Sequence, residues 1–535
     1  MGQSRFFMIC LAAWTVAASA ANAQSMAGAH LGTVHFPVSC TAAQGKFDRA
    51  VALLHNFFYP ETVKAFRAIT EEYPSCAMAY WGLAMSQRPN PLVPPFPLAN
   101  LKAGWEAVEQ GRNARTRTPR EAEYLAAIAL FYRDYDRIDQ ATRTRLYEQA
   151  MRRLHEHYPK DPEAAIFYAL ALNEAVDLGD RTFARQLKAA AILHAEARRQ
   201  PNHPGIAHYL IHSYDFAPLA GKGVPSAHLY DRIAAASPHA LHMPSHTYSM
   251  LGMWDESIRA NRAAEAAAND YAAKNFPDAT DPSLPHLLDF LVFAYLQLAR
   301  DNDARLIVDQ LPRLKKFASV RLTVDTALAA IPARFLLERG RWDEAARLPV
   351  RDSQYPAARS ISFFARALGE ARSGHPEEAR AEIAHLQETE AKLVAAKDDY
   401  WAGQTRIQWL AAQAWVMLDE GRREQAIAQM RKAADLDDAS EKNVAMENKL
   451  VPMRALLGEL YLAAGMNSEA LTEFQSSLKT SPNRFRTFAA AAAAARGRGS
   501  IAMERYFYQA LLRLAGAGDG ARAEVADARA FLSHS

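Results

Sequence analysis

The sequence predicts an all-α solenoid, a right-handed superhelix of antiparallel helix pairs, and two observations predict it. First, a pattern of one proline, two histidines four residues apart and a tyrosine occurs twice. It runs from Pro204 to Tyr214 and again from Pro238 to Tyr248, so each position shifts by 34 residues. Second, glycine, alanine, aromatic residues and proline recur at helix-pair spacing along most of the chain. A period of 34 residues is that of a helix–turn–helix repeat, and stacked repeats bury a continuous core between neighbours.

The repeat signature is clearest near the C-terminus, where seven residues occupy the expected slots of one helix pair. They are Leu457, Gly458, Tyr461, Gly465, Ala470, Phe474 and Pro482. Weaker copies precede it around Gly340, Gly374 and Gly421, and Ala79 to Gly82 resembles a first helix in the N-terminal half. The small residues let paired helices approach closely, and the proline ends a repeat because it cannot continue a helix. Over most of residues 40–515 the chain resembles the tetratricopeptide repeat superfamily, which implies this superhelix.

The N-terminus, residues 1–23, has the pattern of a secretory signal peptide. Arg5 supplies the positive charge, Phe6 to Val16 form the apolar region, and Ala21 to Ala23 form an A-x-A cleavage site before Gln24. We therefore expect export to a bacterial periplasm or beyond, and no stable membrane insertion after cleavage. The mature chain keeps Cys40 and Cys76, which form either a disulfide in that oxidising compartment or two separate buried thiols.

The histidines divide the mature chain into an N-terminal half, residues 24–310, and a C-terminal half, residues 311–535. Three of the 17 histidines fall in the second half, which the pattern therefore assigns to scaffolding. The 62 basic and 59 acidic residues leave a formal net charge of +3, and no basic run is typical of nucleic-acid binding. A protein or peptide partner is expected instead, because solenoids present extended concave surfaces.

The repeated histidines predict a metal site. A spacing of four residues puts both members of a pair on one helix face, and their repeat positions face the concave groove. We expect four ligands there: His208, His212, His242 and His246. His239, near the start of the second histidine repeat, and His286 and Asp289, in the following repeat, are alternative ligands or orienting residues. Asp215, Tyr214 and His55 are weaker candidates for orienting the ligands. Pro244 complicates this geometry, because a proline between His242 and His246 should kink or delay the helix.

The ligand chemistry favours copper, iron or zinc. Neutral imidazoles suit all three metals, the thiolates of a closed structural zinc site are missing from the groove, and no HExxH motif is present. Binding of an organic or peptide ligand, or a purely structural role, remains an alternative. Whether the protein is an enzyme is open. A metal-dependent redox or hydrolytic enzyme should have a closed, apolar-rimmed pocket over the histidines, whereas a metal-free peptide-binding scaffold should have an open groove.

Several segments together resemble a family of exported bacterial tetratricopeptide proteins with paired HxxxH motifs. They are Val34 to Cys40, Ala52 to His55, Pro74 to Gly82, His203 to Asp215 and Pro238 to His246. The resemblance covers essentially the whole mature chain. It implies the fold and export, and it implies no activity.

Overall fold

A computed structural model describes residues 30–115, 117–177, 179–314, 316–441, 449–516 and 518–534. The predicted signal peptide and its cleavage point lie outside these ranges. The N-terminal half contains α1 (Gln44–His55), α2 (Tyr59–Glu72), α3 (Ala77–Ser86), α4 (Leu98–Asn113), α5 (Pro119–Tyr132), α6 (Gln140–His157), α7 (Pro162–Glu174) and α8 (Ala184–Ala197). It continues with α9 (Pro204–Ser213), α10 (Ala220–Ile233), α11 (Pro238–His242), α12 (Pro244–Met250), α13 (Trp254–Asn275), α14 (Leu284–Gln297) and α15 (Asp301–Gln310).

The C-terminal half continues the same architecture. Its helices are α16 (Leu322–Glu338), α17 (Trp342–Ala346), α18 (Pro356–Arg372), α19 (Pro376–Ala395), α20 (Asp399–Asp419), α21 (Arg423–Asp438), α22 (Met453–Ala463), α23 (Asn467–Thr480), α24 (Phe485–Gly497), α25 (Ile501–Leu514) and α26 (Ala523–His534). Within the described ranges the chain forms no β-strand, and Thr280 and Phe317 make an isolated bridge.

Each helix packs against the next, and many first helices also pack against the first helix of the following repeat. The row α12, α14, α16, α18, α20, α22 and α24 is continuous in this way. This stacking of first helices confirms the predicted all-α, tetratricopeptide-like solenoid. The predicted glycines occupy a turn between helices and a close contact between paired helices. Gly465 adopts a φ of 75° in the turn between α22 and α23, and a Cβ on Gly458 would lie 2.6 Å from the Phe474 ring.

The last repeats pack back onto the middle of the chain. The Trp254 indole donates to the carbonyl oxygen of Asn483 at 2.8 Å, and Arg522 forms an ion pair with Asp301. Apolar side chains gather in two main cores, one between Leu31 and Tyr271 and one between Trp254 and Ala528. Side chains of α9 belong to the first core and side chains of α14 to the second, so the histidine-bearing helices lie between the two cores.

A disulfide joins Cys40 and Cys76, whose Cα atoms are 5.5 Å apart. It ties the segment that enters α1 to the start of α3. Among the described residues, no helix is long and apolar enough to span a membrane.

Candidate metal centre

Six histidines from three successive repeats gather into two groups of three. The first group consists of His208 and His212 on α9 and His239 on α11. Its Nε2 atoms lie close together: the separation is 3.0 Å from His212 to His208 and 3.1 Å from His208 to His239. Nitrogens bound to one transition metal lie about 3–4 Å apart when each bond is about 2.0–2.1 Å. The first group therefore has nearly the spacing of a metal-ligand set before any ion is bound.

The second group consists of His242 on α11, His246 on α12 and His286 on α14. The Nε2 atoms of His242 and His246 lie 3.0 Å apart, and the His286 ring centre lies 4.8 Å from that of His242. In each group two histidines are almost fully buried and the third, His239 or His286, is partly exposed. Each group is thus reached from solvent past its third member.

Pro244 interrupts the helix between His242 and His246, as the sequence indicates, but the two rings still meet. The α11 helix ends at His242 and α12 begins at Pro244. Met243, between them, keeps helical dihedral angles of −51° and −37°. The amide of Met243 still donates to the His239 carbonyl at 2.9 Å. Because the chain direction is preserved, the four-residue spacing continues to place both imidazoles on one face.

Three of the histidines are held by hydrogen bonds at Nδ1. His208 Nδ1 lies 2.6 Å from the backbone carbonyl oxygen of His55, and His246 Nδ1 lies 3.1 Å from Asp215 Oδ2. His242 Nδ1 lies 2.7 Å from Asn261 Oδ1. A carbonyl or carboxylate oxygen can only accept, so each of these Nδ1 atoms donates. Donation from Nδ1 leaves Nε2 as the atom that carries the lone pair in a neutral imidazole.

This arrangement has a direct consequence for His242 and His246. Asn261 donates from its Nδ2 to the Ser257 carbonyl at 2.8 Å, which fixes its Oδ1 toward His242. In their neutral forms, the two imidazoles then direct the lone pairs of their Nε2 atoms toward each other across 3.0 Å. Two facing lone pairs repel, so a proton or a cation between the nitrogens stabilises the contact. In metal-bound histidines, the ring nitrogen that does not bind the metal usually donates a hydrogen bond to a nearby acceptor.

A phenylalanine ring packs against each group. Phe57 lies with its ring centre 4.4 Å from that of His208 and 5.5 Å from that of His239. Phe290 lies 4.8 Å from His242 and 5.0 Å from His286. Both groups therefore face an aromatic wall, which lowers the local polarity and limits the access of water. The backbone of Phe57 has a φ of 51°, a left-handed conformation that costs an ordinary residue about 1–2 kcal/mol.

Burial favours the neutral forms of His208 and His239. It lowers the pKa of both rings well below the ordinary value of 6.5, and neighbouring histidines lower both further. Neutral imidazole is the form that binds a metal ion, because a protonated ring has no free lone pair. These two members of the first group are therefore in the form that coordinates a metal at neutral pH.

A third cluster, His55, Glu163 and His203, is fully buried beside the first group. The two Glu163 oxygens each lie 2.9 Å from an Nε2 atom, one of His55 and one of His203, and His55 Nδ1 meets the Tyr209 hydroxyl at 2.9 Å. Burial alone would raise the pKa of Glu163, but the two imidazoles outweigh it and hold the pKa at about 2. Since the ring nitrogens that face Glu163 already make hydrogen bonds, this cluster is explained as a bridge between α1, α7 and the start of α9.

The structure corrects parts of the predicted site. The four histidines His208, His212, His242 and His246 do not form one set; they divide two and two, and each pair gains a third member. Asp289 turns away from the histidines, and its carboxylate lies 3.0 Å from the Arg334 guanidinium in a buried ion pair. The reason is the displacement along the helix axis. Asp289 lies almost one turn further along α14 than His286, and at that level its carboxylate meets Arg334 of α16.

The predicted orienting residues also separate. Asp215 does contact His246. The Tyr214 hydroxyl instead lies 3.0 Å from His194 Nε2 on α8, which makes Tyr214 a packing residue. His55 acts through its backbone carbonyl, and its ring bonds Glu163. The sequence reasoning missed Asn261, Phe57, Phe290 and Glu163, which lie at no fixed interval from the repeated pattern.

A cavity of about 310 Å³ lies elsewhere, between the end of α12 and the C-terminal repeats. Ser249, Trp254, Lys449 and Arg484 are among its lining residues, and none of the six histidines lines it. The pocket expected over the histidines of an enzyme is therefore not this cavity.

No protein-family model matches this chain, and no curated protein matches it. Among solved structures, an anaphase-promoting-complex hetero-tetramer of Cut9 and Hcn1 is 12% identical, with 92% of this chain and 97% of that chain covered and a TM-score of 0.30. The human IFIT1 dimer with m7Gppp-AAAA is 11% identical, with 87% and 88% covered and a TM-score of 0.37. The same dimer with PPP-AAAA is 12% identical, with 87% and 89% covered and a TM-score of 0.35. At these TM-scores the alignments carry no argument about function.

Proposed function

We propose that this protein binds transition-metal ions through its two histidine groups. The contact between His242 and His246 supports the proposal most directly. Their Nδ1 atoms both donate to fixed acceptors, and their Nε2 atoms face each other at 3.0 Å. A metal ion turns this repulsive contact into shared coordination. The first group supports the same function, because His208 Nε2 lies 3.0 Å from that of His212 and 3.1 Å from that of His239.

The chemistry of the donors selects copper, iron or zinc. All six candidate ligands are imidazoles, which suit these ions, and hard ions such as calcium and magnesium prefer oxygen donors. Cys40 and Cys76 are joined to each other and offer no thiolate. The aromatic walls at Phe57 and Phe290 favour an ion that tolerates a site poor in water.

Metal analysis of single-site variants tests the proposal. Protein purified from its native compartment should contain bound copper, iron or zinc. His208→Ala should remove the ion of the first group and His242→Ala that of the second, each with unchanged helical content by circular dichroism. His228→Ala is the matched control, since His228 is an exposed histidine on α10 of the same region. Full metal occupancy in both His208→Ala and His242→Ala would overturn the proposal.

We also propose that the protein is exported and works in an oxidising compartment. The Cys40–Cys76 disulfide supports this, because such bonds persist mainly outside the cytosol. The mass of the protein recovered from the periplasm or the medium is the test. A mature chain that begins at or near Gln24 is expected, and an intact Met1 on a cytoplasmic protein would refute export.

A second candidate function is the binding of a protein partner on the solenoid surface. Large apolar side chains are exposed on second helices of the repeats, with 68% of Leu306, 63% of Ile501 and 59% of Tyr506 accessible. We expect a photo-crosslinker at Tyr506 to give a discrete adduct in cells, and Ile501→Asp to abolish it. An adduct that persists unchanged in Ile501→Asp would argue against docking at this surface.

A further inference from the structure

We propose that the two histidine groups form one dinuclear centre, in which two metal ions lie close enough to interact and share a small bridging anion. This inference rests on the proposed metal binding and adds the relation between the two ions. It follows from how the chain places the two groups and from the charge that two ions would bring into a buried site.

The short helix α11 contributes one ligand to each group. His239 belongs to the first group and His242, three residues later, to the second. The centres of these two rings are 6.4 Å apart. Because each metal lies about 2.0–2.1 Å from its ligand nitrogen, an ion in one group and an ion in the other would be only a few metal–nitrogen bond lengths apart. One helical turn therefore links the two sites rigidly.

Two divalent ions would place four positive charges among six neutral imidazoles. Asp215, which contacts His246, supplies one negative charge. An excess of buried positive charge is costly unless it is compensated nearby. A small anion between the ions compensates it most directly, because it interacts with both at once. Hydroxide is the simplest such anion, and azide is a convenient probe of the same position.

Copper(II) loading followed by electron paramagnetic resonance tests the inference. Metal-free protein is loaded with two Cu(II) ions per chain. We expect the integrated signal to fall well below two spins per chain, and acid denaturation to restore the full two spins by releasing isolated ions. His242→Ala, loaded with one ion, should give one full spin. The His228→Ala control should behave like the unaltered protein. Azide should produce a new charge-transfer band that saturates at one azide per two copper ions.

The outcomes separate this inference from the proposal on which it rests. If the protein binds two ions but shows two full, independent spins and no azide band at one per two ions, the dinuclear centre is wrong and metal binding stands. If His208→Ala,His242→Ala binds as much copper as the unaltered protein, the histidine groups are not the copper sites and both proposals fall.

Discussion

The contact between Asp215 and His246 allows a sharp test of how the second group holds its ion. Asp215 Oδ2 accepts from His246 Nδ1 at 3.1 Å, and both side chains are almost completely buried. Asp215→Asn keeps the size of the side chain and an oxygen that can accept, but it removes the negative charge. The ligand His246 itself is unchanged, so the variant changes the strength of the site while leaving its composition intact.

The expected loss follows from the role of such carboxylates. Removing the group that orients a metal-bound histidine usually weakens metal affinity about 10–100-fold. That range corresponds to about 1.4–2.7 kcal/mol of binding free energy. We expect the larger effect at the second group, because His208 of the first group is oriented by the neutral carbonyl of His55.

Competition with a chromophoric chelator measures this effect on metal-free protein titrated with Zn(II). Asp270→Asn is the matched control, since Asp270 is an exposed carboxylate on α13, the helix that carries Asn261. In Asp215→Asn, one zinc ion per chain should bind more weakly than in the unaltered protein. In Asp270→Asn, zinc affinity should not change. An unchanged affinity in Asp215→Asn, or an equal loss in Asp270→Asn, would refute the idea that this hydrogen bond sets the strength of the second group.

Three further predictions concern the stability of the N-terminal half. Gly205→Ala should destabilise the protein by about 1–3 kcal/mol and weaken the first site, because the new Cβ would lie 2.5 Å from His55 Nδ1. Acidification of the metal-free protein from pH 6.5 should lower its free energy of unfolding by up to about 1.4 kcal/mol per pH unit through His55. Burial lowers the folded pKa of this ring below 6.5, so its contribution is complete above pH 6.5 and is lost as the pH falls. Cys40→Ser should cost about 2–5 kcal/mol, because the disulfide constrains the unfolded chain.

Urea unfolding measures the change in free energy of unfolding in all three predictions, and each prediction has its own control. Gly221→Ala on α10 is the control for Gly205→Ala, since a Cβ there meets nothing within 4 Å, and it should be neutral or slightly stabilising. A loss as large at Gly221 as at Gly205 would contradict the steric argument. For the pH effect, His55→Gln should reduce the slope of the profile between pH 6.5 and 5, and an unchanged slope would assign it to other groups. Reduced unaltered protein should match Cys40→Ser, and equal stability with and without reductant would refute the third prediction.

The helical repeats and the pairing of histidines can be predicted from the amino-acid sequence alone. The 34-residue shift and the small residues at helix contacts, such as Gly458 against Phe474, depend on local helix geometry and on nearest neighbours. The contacts within His208–His212 and His242–His246 follow from a spacing of four residues, and they survive even the interruption at Pro244. These features could be predicted because each depends on a few residues close together in the chain.

How the pairs are completed and oriented depends on the packing of the folded chain. The grouping of His239 with α9 and of His286 with His242 depends on how far each helix is rotated and shifted against the next. That rotation is set by the summed packing of many side chains, which no spacing in the sequence records. The same holds for Asp289, whose partner Arg334 comes from the following repeat, and for Asn261, whose position depends on how α13 packs against α11. The repeat therefore fixed which residues could meet within a helix, and packing between helices fixed which of them share a site.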